Sequence, residues 1–219
     1  MKIELWSDFA CPFCYIGETA MLKALEKLNL LDDVQFEFKS FQLNVNATRQ
    51  PEKNIHQLIS EKYHISYDQA KASNDNVVKM ASELGLNYDF DHLKPNNTCM
   101  AHEVLKLSQT LNKGKLFADV AFKAYFEQGA DLGDQETLIS LGEKIGLNER
   151  DVIEALEKRT FYGDVIKDQT FAEQNRITSV PFFVIDDRFA ISGAQSPAYF
   201  ERAIKEIISN QMSGITDLS

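Results

Sequence analysis

The chain has 219 residues, 44% of them hydrophobic, with 15 Phe and 7 Tyr, a composition that specifies a packed globular protein with ample length for a core. Its formal net charge of −10 and pI near 4.9 argue against nucleic acid or an anionic membrane as the main partner. No apolar run reaches the length of a membrane span and no signal-peptide pattern precedes the first strand, so the expected location is cytoplasmic.

Lys2 to Phe9 alternates apolar with polar residues and is rich in strand formers, while Tyr15 to Leu28 carries apolar residues at helical spacing. Between them stands Cys11-Pro12-Phe13-Cys14, a C-x-x-C that closes a strand and opens a helix. Asn29 to Asp33 is a polar break, and Val34 to Phe41 alternates as a second strand. Strand, helix and strand at this spacing form a βαβ unit with parallel strands. Gln42 to Pro51 has no periodicity and reads as a loop.

From Asn54 to Arg176 only helical patterns follow, separated by turn signals. They run over Ile55 to Tyr63, Tyr67 to Leu84 with Gly85 as stop, Thr98 to Leu111, Lys115 to Gln128 closed by Gly129, Asp134 to Lys144, Glu149 to Arg159, and Phe161 to Asn175. Thr98 is the expected N-cap of its helix. Strand signals resume at Pro181 to Ile185, turn at Asp186-Asp187-Arg188 and return at Phe189 to Ser192. Ser196-Pro197 then opens a last helix to about Asn210, with a polar, frayed tail from Gln211 to Ser219.

Removing the helical block leaves a four-stranded mixed sheet flanked by two helices, the thioredoxin arrangement. The expected class is therefore α/β, a thioredoxin fold with an inserted all-helical domain. Residues 1–53 and 177–219 would make the discontinuous sheet domain, and 54–176 the insertion.

The first turn of a helix presents unpaired N–H groups and the positive end of the macrodipole, which favour a thiolate, the form that attacks disulfides. Pro12 suits that turn because its missing N–H would have had no partner there. Two intervening residues put Cys11 and Cys14 one turn apart, so Cys14 can resolve a mixed disulfide formed at Cys11. Cys11 is thus the expected exposed nucleophile and Cys14 the more buried resolving thiol. A zinc site is the alternative, but it needs four ligands, and His56, His64, His92 and His102 show no paired spacing with Cys99, the third cysteine; no metal is expected. A purely structural disulfide would close almost no loop and stabilise little.

Ser179-Val180-Pro181 is the second motif with a mechanism. X-Pro is the one linkage where cis lies only about 0.5–1 kcal/mol above trans. A cis Val180-Pro181 bond would present the Val180 main chain as an edge for an extended peptide beside Cys11. An ordinary trans proline at a strand start is the alternative; the C-x-x-C upstream and the hairpin downstream favour cis.

Cys11-Pro12-Phe13-Cys14-Tyr15 after a strand, the long helical insertion, Ser179-Val180-Pro181-Phe182-Phe183 and Ser192-Gly193-Ala194-Gln195 resemble the DsbA-like thioredoxin family, specifically the FrnE-type dithiol-disulfide oxidoreductases. The likeness extends through Phe41-Gln42-Leu43-Asn44, Asn97-Thr98, Ala101-His102, Ala124-Tyr125-Phe126 and Gly133-Asp134, nearly the whole chain. It implies thiol-disulfide exchange on protein or small-molecule thiols, with Cys11 and Cys14 catalytic and Pro12, Phe13, Val180 and Pro181 against the partner. Related 2-hydroxychromene-2-carboxylate isomerases and kappa-class glutathione transferases carry serine in place of Cys11 and bind glutathione. A glutathione-dependent isomerase or transferase is therefore the alternative function, and glutathione the one co-substrate to consider. A non-catalytic interaction module that keeps the fold is a third reading. Monomer and homodimer both stay open.

Two departures stand out. Leu5 occupies the place where many thioredoxin-fold enzymes carry a buried acid, with Glu4 beside it on the opposite face. Pro-Phe replaces the Pro-His of the periplasmic oxidant, so a less strongly oxidising protein is expected. Four further residues carry two readings each. Cys99 is either a small buried hydrophobe or a third redox thiol whose helix-start location lowers its pKa. Asn97 is a helix cap or a cleft residue, and His102 a satisfied contact or a cleft residue. Trp6 is expected half in the core and flanking the site, with Phe13 exposed to substrate. Phe117, Phe122, Tyr125 and Phe126 read as the core of the helical block.

Overall fold

A computed structural model describes residues 1–48 and 53–216, with side chains through 210. The last residues of the loop expected over Gln42 to Pro51, and the tail beyond 216, lie outside the described residues. β1 (Lys2–Ser7) is the central strand of a four-stranded sheet of order β2-β1-β3-β4. β2 (Gln35–Ser40) pairs with it in parallel from Lys2↔Gln35 to Ser7↔Ser40. β3 (Phe182–Ile185) pairs antiparallel on its other edge, Ile3 facing Ile185, and β4 (Phe189–Ser192) completes the hairpin. The hairpin turn needs two successive left-handed residues, supplied by Asp186 at φ 49° and Asp187 at φ 57°. Asp186 accepts from the Lys2 N–H at 2.7 Å, pinning the turn to β1.

α1 (Pro12–Lys27) crosses from β1 to β2 and packs on α9 (Pro197–Thr216). The last helix thus continues six residues past the expected stop near Asn210, because nothing in Gln211 to Thr216 breaks a helix and the one glycine there costs only about 1 kcal/mol. Between β2 and β3 the chain runs through α2 (Ile55–Tyr63), α3 (Tyr67–Glu83), α4 (Cys99–Thr110), α5 (Gly114–Gln128), α6 (Gln135–Lys144), α7 (Glu149–Glu157) and α8 (Tyr162–Gln174). Gly85 at φ +83° and Gly129 at φ +61° follow α3 and α5 as read from the sequence.

α4 is the hub of these helices, packing on α5, α6, α7 and α8 as well as on β2. Its consecutive buried run Ala101 to Leu105 fits a helix surrounded on all sides. Phe117, Phe122, Tyr125 and Phe126 are buried as expected. One continuous hydrophobic cluster joins Ile3, Leu5 and Met21 at the sheet to Phe9, Phe122 and Leu138 in the helices. The C-x-x-C turn therefore sits on the seam where sheet and helices meet.

Candidate active site

Cys11 is the N-cap of α1, in extended conformation, with Pro12 as the first helical residue. Its N–H donates to the Asp8 carbonyl at 3.0 Å, and the Cys14 N–H donates to the Cys11 carbonyl at 3.0 Å, so the turn is closed by main-chain bonds. The Cys11 Sγ donates to the Val180 carbonyl at 3.6 Å, across the groove between α1 and β3. The Val180-Pro181 bond is cis. Both cysteines are free thiols. Cys11 is 4% exposed, not open to solvent as expected, because the Val180 carbonyl lies over its sulfur. Cys14 is fully buried, and burial pushes its thiol well above the ordinary value, with Cys11 adding to the rise. The Asp8 N–H and the Ser7 hydroxyl act in the opposite direction.

Three residues unread in the sequence shape this turn. Asp8, buried, accepts from Thr98 Oγ1 at 2.8 Å, Leu43 N at 2.7 Å and Ala10 N at 3.2 Å, and faces His102 Nε2 at 3.5 Å. Its one carboxylate ties the cysteine turn to the loop after β2 and to the start of α4. Despite burial, His102, Leu43 and Thr98 hold its carboxyl below the usual range. Gly17 lets α1 approach the proline, since a Cβ there would stand 2.9 Å from Pro181 Cγ. The Tyr88 hydroxyl donates to the Pro12 carbonyl at 2.7 Å, and its ring stacks on Tyr15. None of these is visible in the spacing of the motif, because each partner lies far along the chain or, for Gly17, in the missing side chain itself.

The family profile described as the DSBA-like thioredoxin domain matches residues 2–205. The chain belongs to this family. YwbO of Bacillus subtilis strain 168, an uncharacterized protein, is 30% identical over 209 residues, covering 94% of this chain and 96% of the relative. The crystal structure of a probable DsbA oxidoreductase from Streptomyces coelicolor is similar at a TM-score of 0.85 and 30% identity, over 94% of this chain and 89% of that one. A 2-hydroxychromene-2-carboxylate isomerase shares the fold at a TM-score of 0.67 and 14% identity, covering all of both chains. The cytosolic disulfide reductase DsbM of Pseudomonas aeruginosa does so at 0.66 and 11%, over 95% of this chain and 99% of that one.

In this DSBA-like thioredoxin protein the outer candidate residues sort clearly. Phe13 is 38% exposed beside the cysteines, as expected. Trp6 is 2% exposed and stacks on Phe171 at 5.6 Å, so it is a core residue rather than a half-exposed flank of the site. α8 covers that face of β1, which no local pattern showed. Thr98 occupies the N-cap position of α4 but does not cap it, since its hydroxyl serves Asp8. The Cys99 N–H is met instead by Asn97 Oδ1 at 2.9 Å, and Asn97 Nδ2 holds the Val45 carbonyl, so the capping reading of Asn97 prevails. His102 is buried against Phe9 and Asp8. Cys99 is half-buried, with the Arg159 guanidinium donating to its sulfur at 3.4 Å. Burial raises its thiol and Arg159 only partly offsets this, in keeping with the small-hydrophobe reading and not with the lowering that the redox-thiol alternative called for. Among the described residues no three His, Cys, Asp or Glu side chains gather as a metal-ligand set, and no helix is long and apolar enough to cross a membrane.

Proposed function

We propose that this protein is a dithiol-disulfide oxidoreductase in which Cys11 attacks or is attacked, Cys14 resolves, and the Val180-Pro181 segment with Pro12 and Phe13 receives the partner. The observation that carries the reading is the 3.6 Å contact of Cys11 Sγ with the Val180 carbonyl. A partner's extended main chain entering there meets the nucleophilic sulfur and a β3-side acceptor together. Access then requires that the Val180 carbonyl release the thiol, which an incoming peptide N–H does by taking the same acceptor. The buried Cys14 supplies the second sulfur only after Cys11 is engaged, which suits a resolving role.

Protein or small-molecule thiols and disulfides are the proposed partners, with glutathione as a small co-substrate. A solved structure of DsbM, a structural neighbour, is of that protein with GSH. The cytosol is the proposed compartment, since three cysteines do not make a secreted disulfide framework. Residues 54–176 are read as a helical cap over the cysteine turn.

The test is reduction of insulin by dithiothreitol with the wild type, Cys11→Ser and Cys14→Ser. Loss of activity in Cys11→Ser, together with accumulation of a mixed disulfide on Cys11 in Cys14→Ser, is the expected outcome. Full activity of Cys14→Ser with glutathione-dependent substrates would instead assign the isomerase or transferase class, which needs no resolving thiol.

A further inference from the structure

Tyr88 stands between α3 and α4, far along the chain from the cysteines, yet its hydroxyl donates to the Pro12 carbonyl at 2.7 Å. The residue is buried, its ring stacked on Tyr15 and, at 4.7 Å, on Phe126, so the hydroxyl is held in one direction. Burial keeps its phenol well above the ordinary value, with Tyr15, Cys11 and Cys14 adding to the rise, so the group stays protonated and remains a donor. The carbonyl it meets belongs to the peptide unit whose other end is the Phe13 N–H.

An N-cap side chain takes its bonds from the second and third helical N–H groups, here those of Phe13 and Cys14. The Cys14 N–H goes to the Cys11 carbonyl at 3.0 Å, while among the described residues the Phe13 N–H meets no acceptor. As a thiol, Cys11 makes no capping bond and gives its proton to the Val180 carbonyl at 3.6 Å. A sulfur that has lost this proton is repelled by the carbonyl oxygen and needs a donor instead. The Phe13 N–H is the one left for it. Hydrogen bonds in a chain polarise one another, so a hydroxyl on the carbonyl of a peptide strengthens the bond made by its N–H by about 10–30%.

We propose that Tyr88 is a positioning residue for the exchange reaction: through the Pro12–Phe13 peptide it fixes and polarises the N–H that holds Cys11 as a thiolate, opposite the Val180 carbonyl that holds it as a thiol. The proposal rests on the dithiol exchange reading above, in which Cys11 is the attacking sulfur. When the Cys11 proton leaves to water, the bond made by the sulfur passes from the Val180 carbonyl to the first turn of α1. The same event frees the Val180 main chain for an incoming peptide. Activation of the nucleophile and opening of the docking edge are thereby one step, and Tyr88 ties that step to the helical block.

The test is the rate at which iodoacetamide alkylates Cys11 in the reduced protein from pH 5 to pH 10, read at that residue by peptide mass spectrometry. Tyr88→Phe removes one oxygen and keeps the ring stacks. It should slow alkylation about twofold on the acid limb, where the thiolate is the minority form, and match or exceed the wild type on the alkaline plateau, because a less stabilised thiolate is the better nucleophile. Placing 3-fluorotyrosine at position 88 keeps the ring and makes the hydroxyl a stronger donor, which should speed the acid limb. A Tyr88→Phe profile that coincides with the wild type overturns the proposal, and so does an equal loss at every pH, which would mark altered access to Cys11. Should Tyr88→Phe fail to fold, the fluorinated protein decides, and an unchanged acid limb there overturns the proposal. Oxidation of the wild type to a Cys11–Cys14 disulfide is scored separately: its absence ends the functional reading, whereas the acid limb decides the role of Tyr88.

Discussion

Asp8 shows what one buried carboxylate can organise. Its oxygens accept from Thr98, Leu43 and Ala10, so three chain segments depend on a single negative charge. Charge-assisted bonds of this kind are worth about 1.5–3 kcal/mol each when a partner is lost from a buried site. Asp8→Asn keeps the shape but loses the charge, and should cost about 2–3 kcal/mol at neutral pH by urea denaturation. The sign of the pH dependence follows from its carboxyl lying below the usual range in the fold. Such a group stabilises the native state above its unfolded pKa of about 3.9, and that stabilisation is lost as pH falls through the lower folded value. The gap between wild type and Asp8→Asn should hold from pH 8 to about pH 4.5 and close only in stronger acid; a gap that is constant to pH 2 would show that shape, not charge, carries the effect. The burial of Cys11 belongs to the same scale, since its sulfur lies within the hydrophobic cluster and meets the Val180 carbonyl at 3.6 Å.

Helix α1 has Cys11 as its N-cap, Cys14 on its first turn and the glycine that admits the proline on its second. A methyl at Gly17 would gain about 1 kcal/mol of helix propensity. It would also stand 2.9 Å from the Pro181 ring and 3.4 Å from Phe183 and the Ala194 backbone, where overpacking costs about 1–3 kcal/mol. The ring is rigid and the Ala194 contact is main chain, so the clash should win. Gly17→Ala is expected to lower stability by up to about 2 kcal/mol and to slow mixed-disulfide formation at Cys11, because relief comes by pushing the Val180-Pro181 segment away. An unchanged thermal midpoint with unchanged exchange would show that the segment yields without consequence. Gly17 also marks the limit of what was legible beforehand. The strands, the parallel β1–β2 pair, the hairpin and the helix order all follow from alternation, 3.6-residue spacing and turn residues, which are local. Cys11, Cys14 and Pro181 were found because their chemistry is written in adjacent letters. The burial of Trp6 under Phe171, the diversion of Thr98 to Asp8 and the covering of Cys11 by Val180 depend on which elements come together, and no window of sequence holds that information. Asn97 as the cap of α4 is one of its two readings in the sequence, since its side chain is one of the few that bond a main-chain N–H two residues on.

Across the whole molecule, a continuous core leaves little room for ionised groups, and Glu18 is where that constraint bears hardest. Its folded-state carboxyl is raised, first by burial and then by Asp119, so the fold disfavours its ionised form. A group raised in this way supports the native state fully below its unfolded pKa of about 4.3 and loses that support as pH climbs toward the folded value. The wild type is therefore expected to lose stability, relative to Glu18→Gln, as pH rises from about 4.5 to 7.5. Gln carries no proton to take up, and its amide leaves the packing of α1 against α5 nearly unchanged. Thermal melts of the two proteins should run close together near pH 4.5 and separate at pH 7.5 with the variant higher. The opposite order, with Glu18→Gln lower by the same margin at every pH, would mean that Glu18 is ionised and paired in the native state.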